Sequence, residues 1–426
     1  MDNRYDKYKD SGIAWIGEIP EHWNLALVKS IFNRRTKKNN PILTEERLSL
    51  SIEKGVTLYS EKTTNLDRFK EDFTQYQIAY PNDIVLNSMN MIVGAIGISH
   101  YLGCVSPVYY VIAPKDKNIN VNYYGYLLNN FRIRNLYHAL GEGIYAIDRG
   151  EGRINTCRLK VSYDKFGSII VPIPSINEQL SIATYLDQKC VEIDELITLQ
   201  EEMITKLQRY KQSVITEAVT KGLDKNVPLK DSGIEWIGKI PEHWILKRIK
   251  NICNNLDYLR EPISAEHRSR NNPIYDYYGA SGVIDKIDYY NVDDQVLLIG
   301  EDGANLVMRN LPLVYKAKGK FWVNNHAHIL KPKNDNYDFC AYAFEAADYS
   351  LFITGSAQPK LSQENLGRIK IAVPPLSEQQ SIADYLDQKC SEIDELISIK
   401  QQKIEKLKDY KKSLIFECVT GKRKVS

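Results

Sequence analysis

No stretch of this 426-residue chain approaches the roughly eighteen consecutive apolar residues of a membrane-spanning helix. The polar start MDNRYDKYKD is not that of a secretory signal. Cysteine is sparse, with seven residues, an odd number, and no CxxC pair. Reduced thiols in a cytoplasmic protein are a simpler account of that usage than a disulfide framework. Neither charge sign prevails, with 56 Lys and Arg against 54 Asp and Glu, so net charge alone names no partner. Nucleotide chemistry is missing too. There is no GxxxxGK(S/T) loop, and Gly141-Glu142-Gly143 lacks the third glycine and the strand–helix setting of a dinucleotide site. Pro374-Pro375 has neither the preceding Asn or Asp nor the following aromatic of an amino-methyltransferase tetrapeptide. His326 and His328 would share one face of a strand, but no spaced Cys/His cluster supplies a third metal ligand. The chain is expected to bind no metal and to catalyse no reaction of its own.

What is present is a repeat. KDSGIAWIGEIPEHW at 9–23 returns at 230–244 as KDSGIEWIGKIPEHW, with 13 identities in 15 positions. Residues 178–220 return at 378–420 with 27 identities in 43. The offsets are 221 and 200, so the two inserts between the echoes differ in length by 21 residues. A shared frame carrying two unlike inserts predicts segments 1–23 (scaffold motif), 24–172 (first variable domain), 173–222 (first long helix), 223–244 (linker and second scaffold motif), 245–372 (second variable domain) and 373–426 (second long helix). In the scaffold motif, Ile13, Trp15, Ile16 and Trp23 predict an apolar cluster packed on the helix ends.

Each insert ends in proline punctuation, after which Ser175 or Asn177 in the first copy, and Ser377 in the second, is expected to cap a helix of about 38 residues, or about 57 Å. The heptad seam runs through Leu186, Cys190, Ile193, Ile197, Gln200, Ile204, Leu207, Lys211 and Val214. Its echo is Leu386, Cys390, Ile393, Ile397, Lys400, Ile404, Leu407, Lys411 and Leu414. Spacings alternating between 4 and 3 predict knobs-into-holes packing, most economically of one copy against the other. The fold expected is α/β, of mixed α+β type: two variable domains separated by an antiparallel two-helix coiled coil with pseudo-twofold symmetry. Ile182, Tyr185, Leu196 and Tyr210 widen the apolar stripe and call for contact beyond one partner helix.

Both inserts read as mixed strands and helices. PVYYVIAP at 107–114 is strand-like, 122–140 has helical spacing, and 273–290 reads as strand–turn–strand. The first insert (24–170) carries 19 Lys/Arg against 13 Asp/Glu, the second (245–370) 16 against 15. Amides pair bidentately with adenine and guanidinium with guanine. That chemistry makes Asn87, Asn90, Arg149 and Arg153 candidates for base contact in the first insert. In the second the candidates are Arg270, Asn324, Asn325, Gln358 and Lys360. The run Arg34, Arg35, Lys37 and Lys38 suits phosphates. Taken alone, these residues leave open a non-enzymatic structural adaptor whose two variable domains bind proteins.

KDSGIxWIGxIPEHW before each insert, and VPIPSINEQLSIATYLDQKC or VPPLSEQQSIADYLDQKC opening each helix, resemble the specificity (S) subunit of type I restriction-modification systems. So do YYGASGVIDKIDYY, LLIGEDGANL and the NNHAH stretch, and DIVLNSMNMIVGAIGIS followed by GCVSPVYYV. The resemblance implies that each variable region is a target recognition domain reading half of a bipartite, asymmetric site in double-stranded DNA. It further implies that the coiled coil sets the gap, and that the frame docks two modification (methyltransferase) subunits and the restriction (translocase/nuclease) subunits. S-adenosylmethionine, ATP and Mg2+ would belong to those partners, with no membrane involved.

Overall fold

The computed structural model describes residues 4–61, 72–144, 158–268, 273–355 and 357–425. Two helices dominate, α1 (Ile176–Lys221, 46 residues) and α2 (Leu376–Val419, 44 residues). Both exceed the expected length because their first and last turns are built into globular cores: Ile182, Ala183, Ala218 and Val219 of α1 are all buried. The chain divides into two compact units, one of residues 1–200 and 402–426, the other of residues 201–401. Each unit therefore takes one half of each long helix.

In the first unit the opening half of α1 meets the closing half of α2, with Leu186 and Ile193 in one core with Leu414 and Cys418. In the second unit Val214 and Ala218 share a core with Ile382 and Leu386. That pairing is antiparallel in both. The seam positions are the buried ones: Leu186, Cys190, Ile193, Gln200, Leu386, Cys390, Ile393 and Ile404 are all under 9% exposed. Ile197, Ile204, Leu207, Ile397, Lys400 and Leu407 are half-buried. The seam lysines reach across to acids. Lys411 Nζ lies 2.7 and 2.6 Å from the Asp194 carboxylate oxygens, and Lys211 Nζ lies 2.8 and 2.6 Å from those of Asp394.

The helix starts differ from expectation in one respect. Ser175 caps α1 through a reciprocal box, its N–H and hydroxyl donating to Glu178 Oε2 at 3.1 and 2.8 Å. Asn177 and Ser377, expected as caps, lie inside the first turns. Pro375 stands where Ser175 does, and its carbonyl accepts from the Gln379 N–H at 3.0 Å. Proline gives up the N–H and hydroxyl through which Ser175 meets Glu178, but its fixed φ holds the chain ready for the first helical turn.

The first unit holds a four-stranded antiparallel sheet in the order 32–35, 109–114, 84–87, 96–98. Strand alternation sends Ile84 and Leu86 to the core shared with the helices and Val85 to a second core with Leu48, Leu50 and Val105. Both faces are covered, which is why the strand reads as an unbroken apolar run. The helical stretch at 122–140 is two helices, Val121–Asn129 and Phe131–Leu140. They are broken at Asn130, whose side chain accepts from the N–H groups of Arg132 and Ile133.

The second unit holds a six-stranded sheet in the order 253–255, 327–332, 292–300, 314–323, 275–279, 282–287. Every pairing is antiparallel except that of 275–279 with 314–323. Leu297 and Ile299 face the helix-side core while Val296 and Leu298 face the other. The molecule is thus of mixed α+β class. Among the described residues no helix is long and apolar enough to cross a membrane.

Candidate nucleic-acid interface

Each unit begins from the same frame. A strand that follows the scaffold motif pairs antiparallel with the strand leading into the long helix, 24–27 with 170–173 and 245–248 with 370–373. The motif's tryptophan locks this base. Trp23 Nε1 donates to Glu178 Oε1 at 3.0 Å, and Trp244 Nε1 donates to Glu378 Oε2 at 3.0 Å. His22 and His243 lie 2.9 and 2.7 Å from the same two carboxylates. Burial alone would raise the Glu178 pKa, but donation from Trp23, His22 and Ser175 outweighs it and holds the carboxyl at about 2.

The inserts are joined to this frame alike. Gln179 and Gln379 are buried. Their Oε1 atoms accept from the backbone N–H of Asn120 at 2.9 Å and Asn336 at 2.7 Å. Those asparagines cap the helices Val121–Asn129 and Tyr337–Ala346. Six residues on from each cap, the hydroxyls of Tyr126 and Tyr342 donate to Asp187 at 2.8 Å and Asp387 at 2.7 Å. Sequence reasoning missed this junction. Its only signal was an Asn and a Tyr six residues apart, NVNYYGY and NYDFCAY, recurring at an offset of 216 that neither echo shares.

In the second unit three segments converge at one end of the sheet. Strand 292–300 ends just before Glu301, strand 327–332 starts after the turn Asn324–His326, and strand Lys360–Leu361 lies beside them, the Leu361 N–H donating to the Glu301 carbonyl at 2.7 Å. Five ionic side chains, His328, Asp257, Arg260, Glu301 and Lys360, tie them together. His328, 1% exposed, places Nδ1 2.7 Å from Asp257 Oδ2 and Nε2 2.8 Å from the Leu361 carbonyl. Both partners are acceptors, so each ring nitrogen donates. Asp257 Oδ1 also accepts from the Ile329 N–H at 2.8 Å. Arg260 donates to Glu301 Oε2, and Lys360 Nζ lies 3.0 Å from Glu301 Oε1. Burial disfavours the charge on Glu301, yet the Arg260 and Lys360 hydrogen bonds prevail and keep its carboxyl below the ordinary range.

This arrangement brings several of the base-contact candidates together. Asn324 is buried, and its Oδ1 shapes the turn by accepting from the His326 N–H at 2.8 Å. Asn325, Gln358 and Lys360 are exposed. His326 sits in the turn before the strand, half-exposed, with Nδ1 2.7 Å from Asp302 Oδ2. It therefore does not share a strand face with the buried His328. Among the described residues no group of three His, Cys, Asp or Glu side chains is placed to hold a metal. Arg270, Arg149 and Arg153 lie outside the described residues.

In the first unit, Asn87 ends its strand and its Oδ1 accepts from the Met89 N–H at 3.1 Å, while Asn90 is exposed in the following turn. The basic run divides. Arg34 stacks over Tyr110 and Tyr163 at 4.9 and 4.8 Å. Arg35 donates to Asp83 at 2.7 Å and covers Tyr80. Lys37 and Lys38 are exposed, with Lys38 bonded to Gln75 at 2.7 Å.

Comparison with known proteins agrees with these features. Residues 241–409 match the family described as the type I restriction modification DNA specificity domain. The chain is 25% identical over 443 aligned residues to the putative type I restriction enzyme MjaX specificity subunit of Methanocaldococcus jannaschii, covering 96% of each. It is 32% identical over 160 residues to the putative specificity subunit S.HindORF215P of Haemophilus influenzae, which is 37% of this chain and 38% of that one. Among solved structures, a chain from a study of complex assembly and conformational transition in a type I R-M system superposes with a TM-score of 0.70 at 13% identity. That match covers 94% of this chain and 98% of that one. The HsdS subunit from Thermoanaerobacter tengcongensis gives 0.50 at 14% identity, covering 95% and 98%. At such identities the likeness is one of fold.

Proposed function

We propose that the chain belongs to the family of type I restriction-modification DNA specificity subunits, with which it shares the matched residues 241–409 and 25–32% identity to two relatives, and that it is the DNA-reading subunit of such a system. Residues 24–172 and 245–372 act as two target recognition domains, each reading one half of a bipartite, asymmetric site. The observation that carries this reading is a single frame, with the same Trp–Glu lock and Gln–Asn junction, bearing two unlike heads. In the second head, Asn325 and Gln358 are presented beside the ionic cluster and Lys360 at its edge, paired with Glu301, which suits hydrogen bonding to base edges. Asn87, Asn90, Arg149, Arg153 and Arg270 remain base-contact candidates and Lys37 and Lys38 phosphate candidates. Arg34 and Arg35, already engaged by aromatic and acidic partners, position the strand that leads to those lysines.

The long helices serve as a spacer and as a docking face. Leu196, Leu199 and Tyr410 in the first unit, and Leu396, Ile399 and Tyr210 in the second, stay exposed on the helices. Apolar residues left open at the same places in both copies suit two identical protein partners. These would be two modification subunits, which bind S-adenosylmethionine and methylate adenine. Restriction subunits that use ATP and Mg2+ would join them in the cytoplasm. This chain supplies recognition and placement, and its partners supply the chemistry.

Methylation-site mapping of the assembled complex tests the proposal. Two defined half-sites separated by a fixed gap are expected, and exchanging residues 245–372 for another head should alter only one of them. Methylation without sequence preference, or DNA binding indifferent to sequence, would overturn the reading and leave a protein-binding adaptor.

A further inference from the structure

In the second unit a cleft of about 930 Å3 opens between the strand 245–248, the short helix Ile249–Ile252, the strand 253–255 and the helix Gln363–Arg368. Five of its lining side chains are cations, Arg248, Lys250, Lys333, Arg368 and Lys370, and one is an acid, Glu364. All five cations are exposed. Glu364 is engaged by Arg368 at 2.6 Å, and the Lys333 ammonium lies 3.3 Å from the Lys250 carbonyl. Among the described residues, Arg248, Lys250 and Lys370 have no acid within ion-pair distance.

The second insert is close to neutral, with 16 Lys/Arg against 15 Asp/Glu over 245–370. Taking away the cleft's five cations and one acid leaves 11 against 14. The insert is therefore net negative outside the cleft, and its local excess of cations over acids lies in this one concave place. A concave array of one sign with low-dielectric walls focuses its field on an anion. The first unit has only the common part of this array. Lys29 and Lys115 match Lys250 and Lys333, with Lys115 Nζ donating to the Lys29 carbonyl at 2.8 Å. Leu27 and Ile170 pair with each other where Arg248 pairs with Lys370, and Ser168 stands in the place of Arg368.

The cleft also adjoins the ionic cluster. Asn255 lines it, and its Oδ1 accepts from the N–H of Asp257, the partner of His328. On the opposite wall Gln363 follows Lys360 by three residues. Two to three residues of extended chain span about 7–10 Å, close to the roughly 8.5 Å depth of the DNA major groove between backbone and base edge.

Resting on the reading of this unit as a half-site recognition head, we propose that the cleft seats a stretch of DNA phosphodiester backbone and thereby sets the height of Asn325, Gln358 and Lys360 over the bases. The array places without specifying, because phosphates carry no sequence.

The test uses the full chain assembled with its modification subunits and duplex DNA carrying the mapped site. Arg248→Gln, Lys250→Gln and Lys370→Gln are combined, and each is also made singly, so that the question survives if the triple variant folds poorly. Each phosphate that a variant no longer neutralises lowers the slope of log affinity against log salt by about 0.9. The triple variant should lose about 2 to 3 from that slope and each single variant about 1, with the preference for the second half-site over a scrambled one unchanged. Lys370→Arg should retain the wild-type slope. An unchanged slope in folded variants overturns the proposal. So does impaired assembly with the modification subunits at an unchanged slope, since the cleft would then be serving an acidic protein segment. Failure of the reading itself is separate: the wild-type complex would show no preference between the true and the scrambled half-site.

Discussion

Replacing His328 with leucine should loosen the second recognition head while leaving the first intact. His328 is 1% exposed and gives one hydrogen bond to the Asp257 carboxylate and one to the Leu361 carbonyl. Hydrogen bonds to charged groups contribute about 1.5–3 kcal/mol each, and breaking a buried charged pair by removing one partner costs about 3–5 kcal/mol. Leucine recovers part of this through its apolar area, about 1 kcal/mol. A net loss of about 3 kcal/mol corresponds to a roughly hundredfold rise in local opening. Backbone hydrogen exchange reads this directly. The amides of Ile329 and Leu361, which donate to Asp257 and to the Glu301 carbonyl, should exchange about a hundredfold faster, while Val28 and Trp23 in the first unit should not change. In the assembled complex the second half-site should lose discrimination and the first should keep it. Adding Asp257→Asn should cost much less in the His328→Leu background than in the wild type, because the two form one pair. Additivity of the two changes within about 0.5 kcal/mol would refute the pairing, as would equal acceleration in both units.

Three further outcomes are expected. The Glu178 carboxyl, held at about 2 against an ordinary 4.5, contributes stability that is complete above about pH 4.5 and is lost as pH falls toward 2. Discounted for partial exposure, this is about 1–2 kcal/mol. Thermal melts followed by tryptophan fluorescence at pH 5.5 and 2.5 should show Glu178→Gln destabilised at the first pH and nearly equal to wild type at the second. Leu186→Ala, at a fully buried seam position, should cost about 2–5 kcal/mol in urea unfolding, whereas Leu196→Ala, on the exposed side, should cost under about 0.5 kcal/mol. Inserting one heptad into both α1 and α2 adds about 10 Å of helix, and methylation mapping should then find the gap between half-sites longer by about three base pairs; an unchanged gap would rule out the spacer role.

The long helices were legible because a heptad is a local pattern, and repeated identity made its boundaries plain. Antiparallel pairing also followed from the order of the repeats. The strands at 107–114 and 273–290 were readable from β-branched and aromatic content. Other features depended on contacts that span the chain. The Gln179–Asn120 and Gln379–Asn336 junctions join residues 59 and 43 positions apart through single side chains, which no periodicity reveals. The cap of α2 was misplaced because Pro375 does by ring geometry what Ser175 does by hydrogen bonding. His326 and His328 looked equivalent on spacing, but the strand begins between them and separates their surroundings. The cations of the cleft are scattered from Arg248 to Lys370, and only folding gathers them.

The plug by which each head meets its helix has an evolutionary consequence. It asks of the incoming segment an asparagine to start a helix, a tyrosine six residues on, an apolar face to share the core of the long helices, and entry and exit strands that zip together. A stretch of foreign coding sequence meeting those terms would be accepted at either socket without retuning the rod. On the proposed function, such a protein would acquire a new address by recombination in one step, keeping the other half of its old one.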